Sequence, residues 1–297
     1  MLTKHQFNIL VCLEEEKKVL SQRQIANKIS ASIGTVNRTL KGLAELGFVL
    51  NGSITEMGIK ALEPHRVRRA IFMAAGFGSR MLPITLNTPK PLVRVGGVRL
   101  IDTMIDACIA AEIEEIIVIR GYFAEQFDQL LNKYPQIKFV ENPDYDSSNN
   151  IVSILHAREY LGACYVLEAD LRLTNPKLIK KYQYSSNYLG IPVDRTDDWC
   201  IYVKDGYISE SVQGGQGENC FQTIGISYWT PEDGEKLKEH VKAVCEQPGG
   251  KSKLWGHVPL VAFHDEYKVA VRPCKFEDVV EIDSFEELKQ IDPSYAV

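Results

Sequence analysis

The feature that most constrains the fold is the stretch from Ala70 to Val95, which reads A-I-F-M-A-A-G-F-G-S-R-M-L-P-I-T-L-N-T-P-K-P-L-V-R-V. It opens with a short apolar run without polar alternation, which is typical of a strand buried on both faces of a parallel sheet. Gly76 and Gly78 follow directly, so the chain can turn tightly and present backbone N–H groups to an anion. Arg80 and Lys90 then add two cations. The stretch therefore predicts a binding site for a polyphosphate.

The spacing of the glycines excludes two common phosphate-binding loops. The sequence has no G-x-x-x-x-G-K-[ST], so it is not a P-loop, and Gly76-Phe77-Gly78 lacks the third glycine of the dinucleotide fingerprint. A strand followed by G-x-G is weak evidence by itself, because many such pairs are only tight turns. The whole ordered string is more specific, since it also holds one lysine between Pro89 and Pro91.

The string resembles the A-A-G-x-G-[ST]-R-[ML]-x-P-[LI]-T…P-K-P-[LM] signature of the nucleotidyltransferases, which join a nucleoside triphosphate to a phosphorylated small molecule. Every fixed position of that signature is present. The resemblance implies that the nucleotide is bound by Ala74, Ala75, Gly76, Gly78, Ser79 and Arg80. It also implies catalytic roles, with Arg80 holding the β- and γ-phosphates and Lys90 bridging the α-phosphate and the incoming phosphate.

Composition bounds the class of protein. At 297 residues the chain is long enough for one large and one small domain, and its 45% apolar content supports a packed core. A net charge of -5 argues against a protein whose whole surface binds nucleic acid. Seven cysteines without a C-x-x-C pair are typical of reduced cysteines in a cytoplasmic protein. The apolar run Phe7–Leu13 is short and precedes three glutamates, so it predicts neither a signal peptide nor a membrane span.

Residues 1–65 are predicted to form a separate winged helix-turn-helix module. Three helical patterns, with capping residues Ser21 and Ser32, are followed by two short strands around Asn51-Gly52, a type I′ turn signal. The third helix would expose a polar face that consists of Thr35, Asn37, Arg38 and Lys41. Residues 1–66 carry nine Lys/Arg and six Asp/Glu, a net charge of +3. Two hypotheses stay open for this module: DNA binding, or a role in oligomerisation and packing.

Residues 66–297 alternate strand and helix patterns, which predicts an α/β domain with a Rossmann-like, mostly parallel sheet. The expected elements include a buried strand at 115–120 and a helix at 123–131. Beyond residue 187 the strands become shorter, and Asp205-Gly206 marks a hairpin. This part is expected to form a small antiparallel subdomain that holds the acceptor.

Two acidic strand ends are candidates for a metal site. Asp170 follows a buried apolar strand, and Asp283 follows another near the C-terminus. In the family that the signature resembles, two such aspartates jointly bind Mg²⁺, so the resemblance assigns Asp170, also a catalytic residue, and Asp283 to the metal. Mg²⁺ prefers a few carboxylate oxygens, with phosphate and water completing its shell. Glu281 is expected to play a supporting role, and helix capping is the alternative role of Asp283.

The segment from Asn142 to Ser153 is similar to the N-x-x-Y…N-N-x-x-S segment of the small bacterial CTP:phosphocholine cytidylyltransferases, and the closing E-I-D-S is similar to theirs. The resemblance covers about three quarters of the chain and excludes the N-terminal module. It assigns Asn149 to the nucleotide and Asn150 to the acceptor.

Aromatic residues give an independent indication of the acceptor, because quaternary ammonium groups bind to aromatic faces and nearby carboxylates. All three tryptophans lie in the acceptor half. The candidate acceptor residues are Asp197, Asp198, Trp199, Tyr228 and Trp255. Since tryptophans are also large core residues, the alternative is that they only fill the interior.

The sequence thus predicts a cytoplasmic, Mg²⁺-dependent cytidylyltransferase that uses CTP and a phosphorylated amino-alcohol, with phosphocholine as the first choice. Phosphoethanolamine or 2-aminoethylphosphonate are alternative acceptors, for which Asp197 or Asp198 would bind the amine. A sugar-1-phosphate nucleotidyltransferase is the rival enzyme, and a ligand-sensing transcription regulator is the rival from another class. No membrane partner is expected, and a homo-oligomer is compatible with the sequence.

Overall fold

The structure is a computed structural model that describes residues 1–296, and the chain forms two compact units. The first unit comprises Met1–Arg66 together with Tyr182–Tyr184, and the second comprises the rest of the described chain. The sequence predicted a boundary near residue 65. It did not indicate that a segment more than a hundred residues further along would pack with the first unit.

The first unit contains the three helices and the hairpin that the sequence predicted, and one more helix. Its elements are α1 (Lys4–Glu16), α2 (Gln22–Lys28), α3 (Ile33–Glu45), β1 (Val49–Leu50), β2 (Ser53–Ile54) and α4 (Glu56–Leu62). The capping box of α2 is present, since Ser21 N donates to Gln24 Oε1 at 2.8 Å and Gln24 N donates to Ser21 Oγ at 3.3 Å. Asn51 and Gly52 have φ angles of 51° and 78°, as the turn between the short strands requires.

The second unit is built around a mixed sheet. Its strands are, in chain order, β3 (Arg69–Met73), β4 (Arg94–Val95), β5 (Val98–Arg99), β6 (Glu115–Arg120), β7 (Ile137–Glu141), β8 (Cys164–Glu168), β9 (Leu171–Leu173), β10 (Asn187–Pro192), β11 (Arg195–Lys204), β12 (Tyr207–Gln216), β13 (Cys220–Trp229), β14 (Ala270–Pro273) and β15 (Val279–Glu281). One sheet runs in the order β10-β14-β12-β11-β13-β8-β3-β6-β7, and β15 pairs separately with β9.

This sheet is mixed: four adjacent strands in one half are parallel, and β10 and β14 form a further parallel pair at the opposite edge. Strands β8, β3, β6 and β7 are parallel neighbours, whereas β13 joins β8 in the antiparallel sense and carries β11 and β12 beyond it. The predicted Rossmann-like parallel strands are present, and the antiparallel strands that the sequence assigned to a small acceptor subdomain continue the same sheet. The architecture of the sheet depends on which distant strands pair, and the local sequence pattern does not show that pairing.

Both faces of the parallel half are covered, as the unbroken apolar strands predicted. Along β3, Ala70 and Phe72 belong to one core, whereas Ile71 and Met73 belong to the core on the other face. The helices of this unit are α5 (Leu100–Ala110), α6 (Asn150–His156), α7 (Pro231–Cys245) and α8 (Phe285–Ile291). The core with Phe72 contains residues of α5, and the core with Ile71 contains residues of α6 and α7.

The helix expected at 123–131 is a 3₁₀ helix at Ala124–Asn132. Its two buried residues, Phe127 and Leu130, are three positions apart, which is the repeat of a 3₁₀ helix. The seven cysteines are all buried and carry free thiols. Every helix formed by residues 1–296 is too short or too polar to span a membrane.

The composition of the first unit generates a prediction about truncation. Tyr182 is buried in the core of that unit, and the ring of Tyr184 packs against Phe7 at 5.3 Å and His65 at 5.5 Å. Deleting residues 1–65 would expose both tyrosines, whereas the two cores around the sheet consist of residues of the second unit. We expect the truncated chain to unfold cooperatively in a thermal melt followed by circular dichroism, and to be more soluble when Tyr182→Ser and Tyr184→Ser are added. A truncated chain that shows no melting transition, with or without these changes, would contradict the prediction.

Candidate active site

The signature stretch forms a loop at the carboxyl end of β3. Ala74 and Ala75 are buried, whereas Gly76, Ser79 and Arg80 are exposed. A Cβ atom at Gly76 would meet no other atom within 4 Å, so a ligand can approach the backbone there closely. The residues predicted to bind a nucleotide therefore lie where ligands bind in open α/β sheets, beyond the carboxyl ends of the strands.

Gly78 holds this loop against the segment that carries Lys90. Its φ angle is +67°, and a Cβ atom there would lie 3.0 Å from Cβ of Lys90 and 3.2 Å from Cγ2 of Thr85. Thr85 Oγ1 donates a hydrogen bond to the carbonyl oxygen of Gly78 at 3.0 Å. Only glycine combines this backbone conformation with so close a contact. The loop and Lys90 are thus fixed relative to each other.

Lys90 is buried between two carboxylates. Its Nζ donates to Asp170 Oδ2 at 2.9 Å and to Asp283 Oδ1 at 2.7 Å, and 7% of the residue is exposed. Burial disfavours the charged amine, but the two carboxylates outweigh this effect, so the pKa of Lys90 lies above its ordinary value. Arg80 Nη1 also contacts Asp283 Oδ2 at 2.7 Å. Three parts of the chain that are distant in sequence meet at this lysine.

Glu168, Asp170 and Glu281 form an acidic cluster beside Lys90. One carboxylate oxygen of each lies within 4.8 Å of those of the other two. Burial and the charge of Asp170 raise the pKa of Glu168 to about 7 and that of Glu281 to about 8. Gly225 allows this arrangement, because a Cβ atom there would lie 2.6 Å from Glu168 Oε2. The cluster thus concentrates negative charge that the protein alone does not neutralise.

The donor set of this cluster fits a hard divalent cation, which takes carboxylate oxygens as ligands. Asp170 Oδ1 is buried and has no hydrogen-bond partner within residues 1–296, and a cation would satisfy it. The sequence predicted Asp170 and Asp283 as the metal ligands. In the structure Glu168 and Glu281 accompany Asp170, and the Asp283 carboxylate contacts Lys90 and Arg80. The assignment of Asp283 to the metal stays a prediction.

A cavity of about 570 Å³ opens beside the acidic cluster, with Glu168 and Glu281 in its wall. Strands β10 to β13 and residues 252–261 supply most of the remaining lining. Five residues predicted for the nucleotide or the acceptor line it: Asn149, Asn150, Asp198, Trp199 and Trp255. Among them, Trp199 is 41% exposed. The cavity is therefore the candidate acceptor site.

Short contacts inside this wall fix several of the predicted residues. Asn150 Oδ1 accepts a hydrogen bond from the backbone N–H of Trp255 at 2.8 Å, and Asn149 Nδ2 donates to the Ser252 carbonyl oxygen at 3.3 Å. The two asparagines thus fasten the start of α6 to the segment that carries Trp255. They shape the cavity as well as line it.

Two predicted acceptor residues lie elsewhere. Tyr228 is buried, its ring meets that of Tyr165 edge-on at 5.7 Å, and it belongs to the core on the other face of the sheet. Because successive residues of β13 point to opposite faces, only one of Tyr228 and Trp229 can face the cavity side. Asp197 is exposed and contacts Arg195 at 3.4 Å. Neither side chain lines the cavity.

Three further residues line the cavity but were not predicted from the sequence as site residues: Glu168, Tyr188 and Lys253. Glu168 could have been found, since it lies two positions before Asp170 at the end of the same apolar strand. Tyr188 and Lys253 carry no such signal. The pairing of β10 with β13 and β14, and the turns at 250–256, bring them to the cavity.

Comparison with known proteins agrees with this geometry. The nucleotidyl transferase family model matches residues 69–173, and the MarR family model matches residues 2–50. A 2-aminoethylphosphonate cytidylyltransferase from Lancefieldella rimae is 35% identical over 231 residues, which cover 76% of this chain and 92% of the relative. The choline-phosphate cytidylyltransferase of Streptococcus pneumoniae is 28% identical over 75% of this chain and 96% of its own. The solved structure of the CTP:phosphocholine cytidylyltransferase from the same species superposes with a TM-score of 0.68, covering 77% of this chain and 99% of that one, at 28% identity.

The fold and the site define a nucleotidyltransferase enzyme that carries an N-terminal winged-helix module. Because a relative of 35% identity is covered almost end to end, the chain belongs to the cytidylyltransferase family. The sequence-based prediction of this family is confirmed.

The acidic cluster generates a prediction about metal affinity. Binding of Mn²⁺, a spectroscopic substitute for Mg²⁺, can be followed by electron paramagnetic resonance without turnover. Asp170→Asn and Glu168→Gln each remove one anionic ligand, so we expect the dissociation constant to rise at least about tenfold. Asp197→Asn, an exposed carboxylate outside the cavity, is the matched control and should bind as the wild type does. Unchanged Mn²⁺ affinity in both cluster variants would show that the cluster is not the metal site.

Proposed function

We propose that this protein transfers CMP from CTP to a small acceptor and releases pyrophosphate. The acceptor is an aminoalkyl phosphonate or a phosphorylated amino-alcohol. The observation that carries the proposal is the position of Lys90, which lies between the signature loop and the acidic cluster and is fixed by Asp170 and Asp283. One amine at this point can face both the α-phosphate of a nucleotide on the loop and an acceptor in the cavity.

The reaction needs no general base with an unusual pKa. A phosphonate or phosphate oxygen of the acceptor is already anionic, so it can attack the α-phosphorus in line while pyrophosphate leaves. The protein then contributes by positioning two anions and by offsetting their repulsion. Lys90 would neutralise charge at the reacting centre, and Arg80 would bind the β- and γ-phosphates. A divalent cation held by Asp170, Glu168 and Glu281, with Mg²⁺ as our proposal, would supply further charge stabilisation when bound.

The lining of the cavity favours an acceptor with a primary ammonium group over phosphocholine, which was our first choice from sequence. Trp199 is the one well-exposed aromatic side chain among the cavity residues predicted for a cage, since Trp255 is only 4% exposed and Tyr228 lies elsewhere. A primary ammonium instead needs oxygen acceptors for its N–H groups. Asp198, Ser211 and Thr223 line the cavity and carry such oxygens.

The relatives support the same preference. The 35% identical relative is named for 2-aminoethylphosphonate, which has a primary amine, and the 28% identical one for choline phosphate. We therefore propose 2-aminoethylphosphonate as the acceptor and phosphocholine as the second candidate. Asp198, next to Trp199 on β11, would pair with the ammonium group.

A panel of acceptors tests this proposal through pyrophosphate release with CTP. We expect the highest kcat/KM with 2-aminoethylphosphonate, less with phosphoethanolamine and phosphocholine, and least with sugar 1-phosphates. Asp198→Asn should raise the acceptor KM about tenfold for the primary amines and less for phosphocholine, because a quaternary ammonium donates no hydrogen bond.

Lys90→Met is the internal control for the panel, since it keeps the apolar stem and removes the charge. We expect kcat to fall about a hundredfold or more with every acceptor. The matched surface variant is Lys133→Met, whose lysine contacts Asp106 outside the site and should leave kcat unchanged. Preference for a sugar phosphate, or full activity of Lys90→Met, would overturn the proposed function.

DNA binding is a second candidate function, and it belongs to the first unit alone. The exposed surface of α3 carries Arg38 and Lys41, which form no ion pair within residues 1–296. Two unpaired cations on the third helix of a winged-helix module are suited to phosphate contacts in a major groove. The match of residues 2–50 to the MarR family supports this hypothesis.

Fluorescence anisotropy with a duplex of about 30 base pairs tests DNA binding. We expect a dissociation constant on the order of micromolar, weakening as salt is raised, because counterion release drives such binding. Replacing Arg38 and Lys41 together by Ala should weaken it at least about tenfold, whereas Lys4→Ala, at the start of α1, should not. Absence of binding at low salt would leave packing or oligomerisation as the role of the module.

A further inference from the structure

Tyr188 in β10 lines the acceptor cavity and carries a buried hydroxyl group. The residue is 5% exposed and lines the cavity together with Glu168 and Trp255. Its Oη atom is buried and has no hydrogen-bond partner within residues 1–296. A buried hydroxyl without a hydrogen bond is destabilising, so such groups in folded proteins usually have a partner.

The ring of Tyr188 is held in place by its neighbours. It stacks on Trp255 at 6.1 Å with an interplanar angle of 21°, and it meets Trp229 edge-on at 5.9 Å. The nearby hydroxyl of Ser227 accepts from Trp229 Nε1 at 3.0 Å and donates to the Val166 carbonyl oxygen at 3.5 Å. Ser227 also interacts with Tyr188, but no hydrogen bond between the two hydroxyls has normal geometry. The packing of its ring thus fixes the Tyr188 hydroxyl without giving it a well-formed hydrogen bond.

Gly256 keeps open the space in front of this hydroxyl. A Cβ atom at Gly256 would lie 3.4 Å from Tyr188 Oη, in ordinary van der Waals contact. The φ angle of Gly256 is not positive, so the backbone itself does not demand glycine. The absence of a side chain leaves room for a ligand atom beside Tyr188 Oη.

The position of Glu168 indicates which end of an acceptor this hydroxyl meets. Glu168 belongs both to the acidic cluster and to the cavity wall that contains Tyr188. The acceptor's phosphonate or phosphate has to approach that cluster and Lys90 in order to react. A neutral phenol can donate to an anionic oxygen, and such charge-assisted hydrogen bonds are among the stronger ones.

We propose that the Tyr188 hydroxyl donates a hydrogen bond to an anionic phosphonate or phosphate oxygen of the acceptor, in the space that Gly256 leaves free. Tyr188 is then a substrate-binding residue of the acceptor site. It orients the attacking group. Its contribution to acceptor binding does not depend on whether the amine is primary or quaternary, because it contacts the opposite end of the acceptor. This inference rests on the proposed transfer to an acceptor in the cavity.

Tyr188→Phe removes one oxygen atom and keeps the ring in its stack. We expect the acceptor KM to rise at least about tenfold for 2-aminoethylphosphonate, phosphoethanolamine and phosphocholine alike, with the KM for CTP unchanged. The matched control is Tyr267→Phe. That ring also meets Trp229 edge-on, at 5.9 Å, but its hydroxyl contacts His240 Nδ1 at 2.7 Å. Gly256→Ala should raise the same acceptor KM by filling the space, and thermal melts of all three variants report folding.

The outcomes separate this inference from the proposed function. If the wild type uses no acceptor of the panel, the proposed function fails, and this inference fails with it. If the wild type is active and Tyr188→Phe keeps its acceptor KM, only the inference about Tyr188 fails. A loss confined to the primary amines would place the hydroxyl at the ammonium end and also overturn it. Calorimetric titration with 2-aminoethylphosphonate alone provides a readout that does not depend on turnover, and equal affinity in wild type and Tyr188→Phe would contradict the hydrogen bond.

Discussion

The contact on which the rest of the site depends is the double ion pair of Lys90 with Asp170 and Asp283. It joins the signature stretch, the end of the central strand β8 and the segment after β15, which are separated by 80 to 193 positions. An amine buried without a counter-charge would lose its proton or leave the interior. The two carboxylates keep the buried Lys90 amine protonated, although little solvent is present to stabilise its charge. The positive charge of Lys90 in turn reduces the repulsion between the two carboxylates.

The charges around this lysine do not balance without a ligand. Four carboxylates, Glu168, Asp170, Glu281 and Asp283, face two cations, Lys90 and Arg80. The raised pKa values of Glu168 and Glu281 express the same deficit of two positive charges, since each carboxylate is destabilised by burial and by its acidic neighbours. One divalent cation would offset that deficit. This charge balance supports the proposal that a divalent cation binds at the cluster.

The sequence predicted the geometry around the signature loop better than that of the cavity, and the reason is physical. The strand β3, the loop from Gly76 to Arg80 and Lys90 belong to one continuous stretch, whose order and glycine positions determine its geometry. Asp170 could be found because it directly follows an apolar strand. The cavity depends instead on which strands pair at long range. Alternation along β13 shows that Tyr228 and Trp229 face opposite sides, but only the pairing of the whole sheet shows which side contains the cavity.

The two halves of the sheet contribute different parts of the site. The parallel half carries the signature loop and one wall of the acidic cluster. Its strands are buried on both faces, so few substitutions are tolerated there. The antiparallel half presents one face of β11 to β13 to the cavity, and Trp199 and Asp198 lie there without supporting the lysine. Side chains on that face can change the acceptor while Lys90, Asp170 and Asp283 stay as they are. We therefore expect this face to carry the difference between the relatives named for 2-aminoethylphosphonate and for choline phosphate.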